Sequence, residues 1–295
     1  MDRLVKSNQI VSKKYSNFKE FVKKNKKKYI IAEPFPHIVL DNFFKTEYLS
    51  KIVKNFPNLS TLNKTQKYSN KNEVKLANNN TQYYPTEIKS IINFLNSKKF
   101  IMFLQDLTSI KEKLVADKYL SGGGLHEIKK GGVLKVHTDF NKHPFLKLDR
   151  RLNLLLYLNK KWSKNYGGNL EFWDKDMKKC RKKVLPIFNR MVIFSTTDFS
   201  NHGHPIALKC PKNRSRKSIA TYYFSKGRPK YEVKNSFEKN TTMFKNRAKI
   251  PNDVYIRNDK FKNFLRSFKF YQNLKNFEKK YLRNGMSKKK RFEKY

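Results

Sequence analysis

Between Gly122 and Ser225 the chain is cut into short runs, LHEI, VLKVHTDF, RLNLLLYLN, NLEFWD, KKVLPIF, MVIFST and SIATYYFS. Each is rich in β-branched, aromatic or leucine residues and is bounded by Gly, Pro, Asn or Asp. Runs of this length, separated by turn signals at nearly regular spacing, read as successive strands, so the segment predicts a β-sandwich or barrel.

The flanks read differently. Phe43, Phe44, Leu49, Ile52, Val53 and Phe56 recur at helical spacing, with Asp41 placed to cap the helix and Pro57 to stop it. Ile88, Ile91, Ile92, Leu95, Phe103, Leu104 and Leu107 outline two amphipathic helices broken around Asn96–Lys99, suited to backing a sheet. Between them, Asn58 to Tyr84 is polar and predicts a long mobile loop, a candidate lid. YIIAEPFPHIVL, from Tyr29, is extended because two prolines exclude a continuous helix, with a strand near Ile38–Leu40. The expected class is therefore α+β: a basic arm over 1–28, one domain over 29–245 with its β-barrel core at 120–228, and a basic helical tail over 246–295. In the tail, apolar periodicity returns at Phe261, Phe264, Leu265, Phe268 and Phe270 before the solvated end SKKKRFEKY.

Lys+Arg number 67 against 23 Asp+Glu, a formal net charge of +44 over 295 residues. Such a field attracts nucleic acid, a ribosome among them, anionic membrane or acidic substrates. The excess is nevertheless spread from Lys6 to Lys294 and accompanies abundant Asn, Ile, Phe and Tyr, the bias an AT-rich coding sequence also produces, so it identifies no partner. Cys180 and Cys210 lack the spacing of a disulfide framework or a cysteine zinc site. With no signal-like start and no apolar run of membrane-spanning length, the expectation is a soluble, cytoplasmic protein without a membrane partner.

Chemistry enters at His137–Thr138–Asp139, which closes the run VLKVHTD. A strand's period of two puts His137 and Asp139 on one side, where both can reach one metal ion. Alone this pair is common. The segment TTDFSNHGHP, after the run MVIFST, offers a third ligand, His202 or its rival His204; His202 follows the strand and its polar corner directly. Two histidines and a carboxylate make the facial set that leaves positions open on iron(II), whereas zinc more often takes three histidines or cysteines. Arg216 opens the last β run in RSRKSIATYYFS, where its planar fork suits a carboxylate, and Ser218 shares its strand face. Gly167 and Gly168 read as a turn before the next strand, Trp162 and Trp173 as packing, and Asn189–Arg190 as a tight turn.

The ordered blocks HTD, RLNLLLYLN, YGGNLEFWD, VLPIFNRMVIFSTTDFSNHGHP and RKSIATYYFSKGRP resemble the catalytic domain of the prolyl 4-hydroxylase-like branch of the 2-oxoglutarate/iron(II) oxygenases. The likeness extends upstream through DKYLSGGGLHEIKKGG and EPFPHIVLDNFF and covers roughly residues 29–245. It implies a double-stranded β-helix, a jelly-roll or cupin-like barrel, backed by the N-terminal helices. It implies His137, Asp139 and His202 as ligands of Fe(2+), Arg216 as anchor for the distal carboxylate of 2-oxoglutarate, and Tyr157 and Ser218 as helpers there. His126, where many relatives carry a tyrosine, and His204 are candidate pocket-lining residues.

The activity so implied is an oxidoreductase, a 2-oxoglutarate-dependent dioxygenase that consumes O2, releases succinate and CO2 and hydroxylates an aliphatic C–H, with ascorbate supporting turnover. The branch points first to a prolyl or other residue of a protein or peptide, and next to a free amino acid or a carbohydrate-linked small molecule. A catalytically silent nucleic-acid- or ribosome-binding barrel is the alternative of another class. The intact ligand set and Arg216 speak against it, and Arg216 with Ser218 speaks against a cupin-like zinc protein.

Overall fold

The computed structural model describes residues 7–233, 241–248, 250 and 252–255. The chain divides after Tyr255. The apolar positions expected to form a C-terminal helix, Phe261 to Phe270, lie outside the described residues.

In chain order the helices are α1 (Ser7–Ile10), α2 (Phe18–Ile30), α3 (Thr46–Lys54), α4 (Thr86–Leu95) and α5 (Lys98–Thr108). The strands are β1 (His37–Asp41), β2 (Gln66–Ser69), β3 (Val74–Asn78), β4 (Val115–Ala116), β5 (Gly124–Lys129), β6 (Leu134–Thr138) and β7 (Asp149–Tyr157). They continue with β8 (Leu170–Trp173), β9 (Cys180–Val184), β10 (Arg190–Ser195), β11 (His202–His204), β12 (Ser215–Ser225) and β13 (Met243–Phe244). Among the described residues these make two antiparallel sheets. The larger runs β1-β10-β7-β12-β5-β3-β2, with β4 added to β12; the smaller runs β13-β6-β11-β8-β9. This is the double-stranded β-helix, with the described helices packed against the larger sheet.

Alternation along the central strands decides which residues face the helices and which face the second sheet. On β7, Leu152, Leu154 and Leu156 join the helix-side core with Ile88, Ile91, Phe100 and Phe103, while Asn153, Leu155 and Tyr157 point the other way. On β12, Ile219 and Tyr223 face the helices, and Arg216, Ser218 and Tyr222 face the barrel interior. Each fully buried leucine contributes about 1.5–3 kcal/mol. A one-residue slip would send the whole set to the polar side, so the apolar face fixes the register that aims the polar one.

Part of the stretch read as a basic arm packs onto this core: Ile10 and Tyr15 are buried, as is Tyr29 just beyond it, and Phe18 stacks on Phe103 at 4.4 Å between ring centres. Asn17 caps α2 by accepting from the Glu20 amide, and Ser97 caps α5 at the break expected between the paired helices. Two expectations need correction. Asp41 is the last residue of β1 and caps nothing; both its oxygens accept from Arg190, at 2.6 and 2.7 Å, and the helix starts only at Thr46. The polar stretch 58–84 is not a structureless loop, because β2 and β3 form a hairpin whose second strand pairs with β5. No helix among the described residues is long and apolar enough to cross a membrane.

Candidate metal and co-substrate site

Strand β11 lies antiparallel to β6 with His202 directly opposite His137. The pairing then slips, so that His204 faces Leu134, and the extra residue on β6 brings its backbone close to Gly203. A β-carbon at Gly203 would lie 2.8 Å from the carbonyl oxygens of both Leu134 and Lys135; the glycine is what lets the two histidine-bearing strands close on each other. The His137 and His202 rings end 4.5 Å apart.

Each ring is oriented from behind. Nδ1 of His137 lies 2.8 Å from the Lys135 carbonyl, and Nδ1 of His202 lies 2.9 Å from the Ser200 carbonyl. A carbonyl can only accept, so Nδ1 carries the proton in both and the Nε2 lone pairs are left for another partner. Those Nε2 atoms sit 3.6 and 3.3 Å from the two oxygens of Asp139. One ligand atom from each of the three residues falls within 4.8 Å of the others, a group that could hold a metal ion; His204 is not part of it. Burial first, and then the neighbouring His137 charge, depress His202 to about 4 despite Asp139, so its imidazole is neutral near pH 7. Burial alone would raise the Asp139 carboxyl; Arg150 above all, then His202 and His137, outweigh it and hold that carboxyl well below its ordinary range.

Asp139 is positioned by two residues that sequence reading passed over. Asn153 Nδ2 donates to Asp139 Oδ2 at 2.7 Å, and its Oδ1 accepts from Arg150 Nε and Nη2 at 2.9 and 2.7 Å. The Arg150 guanidinium, fully buried, lies 3.4 Å from Asp139 and is sandwiched between Tyr222 at 3.5 Å and Phe140 at 4.4 Å from the ring centres. The available signal was their place in RRLN, shortly after the HTD, but one more arginine in so basic a chain carries no weight by itself.

A cavity of about 210 Å³ between the two sheets is lined by His137, Asp139 and His202 and, from the larger sheet, by Arg216 and Ser218. The buried Arg216 is fixed by Nε donating to the Gly168 carbonyl at 2.9 Å and by Nη2 donating to the Tyr157 hydroxyl at 3.1 Å. Gly168, read from sequence as only a turn, thus also holds the arginine: a β-carbon there would lie 3.0 Å from Arg216 Cδ. Tyr157 stands against Arg216 rather than on the cavity wall. His126 does line the cavity, half-buried, with Nε2 3.2 Å from the Gly122 carbonyl; burial, then Lys75, Arg216 and Arg150, push it down to about 3. His204 lines it too, 2 % exposed, with the Ile206 backbone beside its ring. Trp162 donates to the Gly167 carbonyl inside a small apolar cluster, a packing role as read.

Comparison with known proteins bears on the family and the fold. Residues 123–224 match the model of the 2OG-Fe(II) oxygenase superfamily. The chain carries a 2-oxoglutarate/iron(II) oxygenase domain. With it comes the class of chemistry, that of a 2-oxoglutarate-dependent dioxygenase, an oxidoreductase family that uses Fe(2+), 2-oxoglutarate and O2. The fold is that of the prolyl 4-hydroxylases. A prolyl-4-hydroxylase from Pseudomonas putida superposes with a TM-score of 0.50 at 13% identity, over 72% of this chain and 100% of its own. A prolyl hydroxylase from Trichoplax adhaerens, in complex with a hypoxia-inducible-factor oxygen-degradation-domain peptide, gives 0.50 at 15% identity, over 71% and 94%. No curated protein matches the chain.

Proposed function

We propose that this oxygenase hydroxylates an aliphatic C–H of a prolyl or other residue in a protein or peptide, with His137, Asp139 and His202 holding iron(II) and Arg216 holding 2-oxoglutarate. The observation that carries the reading is the convergence of these four side chains on one cavity between the sheets. When bound, the metal with 2-oxoglutarate and dioxygen supplies the oxidising chemistry that yields succinate, CO2 and a hydroxylated carbon.

The protein's own share is positioning. His137 and His202 turn their Nε2 atoms to the site because backbone carbonyls accept from their Nδ1 atoms. Asp139 stays anionic beside Arg150, and Asn153 fixes which way its oxygens point. Arg216, preset by Gly168 and Tyr157, offers its remaining N–H groups to the distal carboxylate, with Ser218 on the same strand face. Leu155 and Leu170 give the cavity apolar walls that keep water from the reacting centre. A residue within a chain suits the site better than a free amino acid because the cavity continues into a second depression of about 270 Å³, through the shared Gly122, Phe140 and Thr242.

The test is the full chain with iron(II), ascorbate and 2-oxoglutarate, read as succinate formed and, on peptide libraries, as the mass of one added oxygen atom. Turnover that survives unchanged in His137→Ala or Asp139→Ala overturns the assignment.

A further inference from the structure

Strand β1 ends the larger sheet and pairs with β10 on one side only. The ladder fixes which of its main-chain groups stay open. The Ser195 amide donates to the Pro36 carbonyl at 2.9 Å, and the Asn42 amide donates to the Asn189 carbonyl at 2.8 Å. In an antiparallel pair the bonded positions alternate, so Ile38 and Leu40 bond to β10 while His37, Val39 and Asp41 turn their N–H and C=O groups outward. Farther along this edge the chain covers itself: the Tyr15 hydroxyl donates to the Asp41 carbonyl at 2.9 Å, and Val11 bridges to Phe44. At His37 and Val39 the outward groups meet no hydrogen-bond partner among the described residues. Both residues line a groove of about 410 Å³ between β1, the end of α2 and β9. It shares no lining residue with the oxygenase cavity.

The walls of the groove select its occupant. Lys28 and Lys182 line it, with Glu33 the one acid among the described lining residues, and Ile31, 64 % exposed, offers apolar contact. Lys28 comes from α2, whose Tyr29 shares the helix-side core with Ile38 and Leu40; Lys182 comes from β9, whose Val184 packs in the cluster that Val39 joins. A strand laid along β1 therefore meets an ammonium group on each of its faces. Lysines beside an open edge also keep out a second copy of this chain, which would bring the same charges, and the chain's own basic end, SKKKRFEKY, is repelled likewise. We propose that the β1 edge takes an extended acidic segment of a partner protein as one further strand of the larger sheet. The main chain of His37 and Val39 pairs with it, and Lys28 and Lys182 meet its carboxylates. The added strand is short, because Tyr15 closes the edge at Asp41.

The experiment uses the full chain and a blocked peptide of repeating Val-Asp-Asp, which shows acid on both faces of a strand; a Val-Lys-Lys peptide is its charge-reversed counterpart. Fluorescence anisotropy reads binding, and residue-resolved hydrogen exchange reads main-chain pairing. At about 10 times its Kd the acidic peptide should slow exchange of the His37 and Val39 amides about 10-fold, and the basic peptide should not bind. Lys28→Glu combined with Lys182→Glu should weaken the acidic peptide about 10-fold and admit the basic one. Val39→Pro removes an outward N–H that β10 does not use, so it should abolish binding and keep the circular dichroism of the unmodified chain. Where that variant does not fold, N-methylation of alternate peptide amides makes the same test from the partner's side. Acidic peptide that binds without protecting His37 and Val39 is drawn by general charge and overturns the proposal, as does undiminished binding in the double glutamate variant. Protection that appears without peptide as protein concentration rises assigns the edge to a second copy, and protection by oligo(U) RNA alone assigns it to nucleic acid; either overturns the acidic-segment reading.

Discussion

Asn153 is the residue whose loss should separate metal binding from the ligands themselves. It is not itself one of the candidate metal ligands, yet its Nδ2 donates to Asp139 Oδ2 at 2.7 Å and its Oδ1 is the acceptor for two N–H groups of the fully buried Arg150. Asn153→Leu, which keeps the branching and the number of heavy atoms, removes both at once. Asp139 would be free to rotate between His137 and His202, and loss of such an outer hydrogen bond typically lowers metal affinity about 10- to 100-fold. Two donors of a buried cation would lose their acceptor, with the Asp139 oxygen at 3.4 Å the remaining anionic neighbour, so about 2–4 kcal/mol of stability should go with them. Mn(II) titration followed by electron paramagnetic resonance reads the first effect and urea unfolding the second. A variant that binds Mn(II) within a factor of about two of the unmodified chain, at equal stability, would refute the idea that this amide positions the carboxylate.

Three further outcomes follow from the geometry. Gly203→Ala puts a β-carbon 2.8 Å from two β6 carbonyls and should drive β11 away from β6, costing about 1–3 kcal/mol in urea unfolding and weakening Mn(II) binding through His202. In Gly168→Ala, the φ of +73° and a β-carbon 2.6 Å from Leu208 Cδ2 and 3.0 Å from Arg216 Cδ should weaken binding of N-oxalylglycine, the unreactive analogue of 2-oxoglutarate, in calorimetry while leaving Mn(II) affinity intact. The segment carrying β13 should loosen in acid: burial would raise Asp253, but Arg247 and then Lys135 outweigh it and hold its carboxyl near about 2, below the ordinary 3.8. Because the folded value is the lower one, its stabilisation is full above pH 3.8 and is lost as pH falls toward 2. The stability deficit of Asp253→Asn, measured by urea unfolding, should therefore be present at neutral pH and shrink across that window.

The sequence by itself determined the strands and the candidate chemistry. Apolar alternation survives translation into structure because a strand buried on one face must repeat every second residue, and the runs around His137, Leu154, Val192 and Ile219 all became barrel strands. The same period placed His137 and Asp139 on one side. The β2–β3 hairpin was illegible for the opposite reason: QKYS and VKLAN are mostly polar, and backbone pairing to β5 rather than side-chain burial makes them strands.

Tertiary structure decided what period and composition leave degenerate. Asp41 had a free amide turn and an arginine to choose between, and the fold brought Arg190 within 2.6 Å. Arg150 and Asn153 are ordinary members of a basic, asparagine-rich chain until the pairing of β7 with β12 turns them toward Asp139. His202 and His204 share one strand face, so alternation cannot rank them. The register that sets His202 opposite His137 joins it to the metal-binding group and leaves His204 facing the cavity beside Arg216. Side-chain direction is local and readable in the chain, whereas register depends on a partner strand some 65 residues away, the span from His137 to His202.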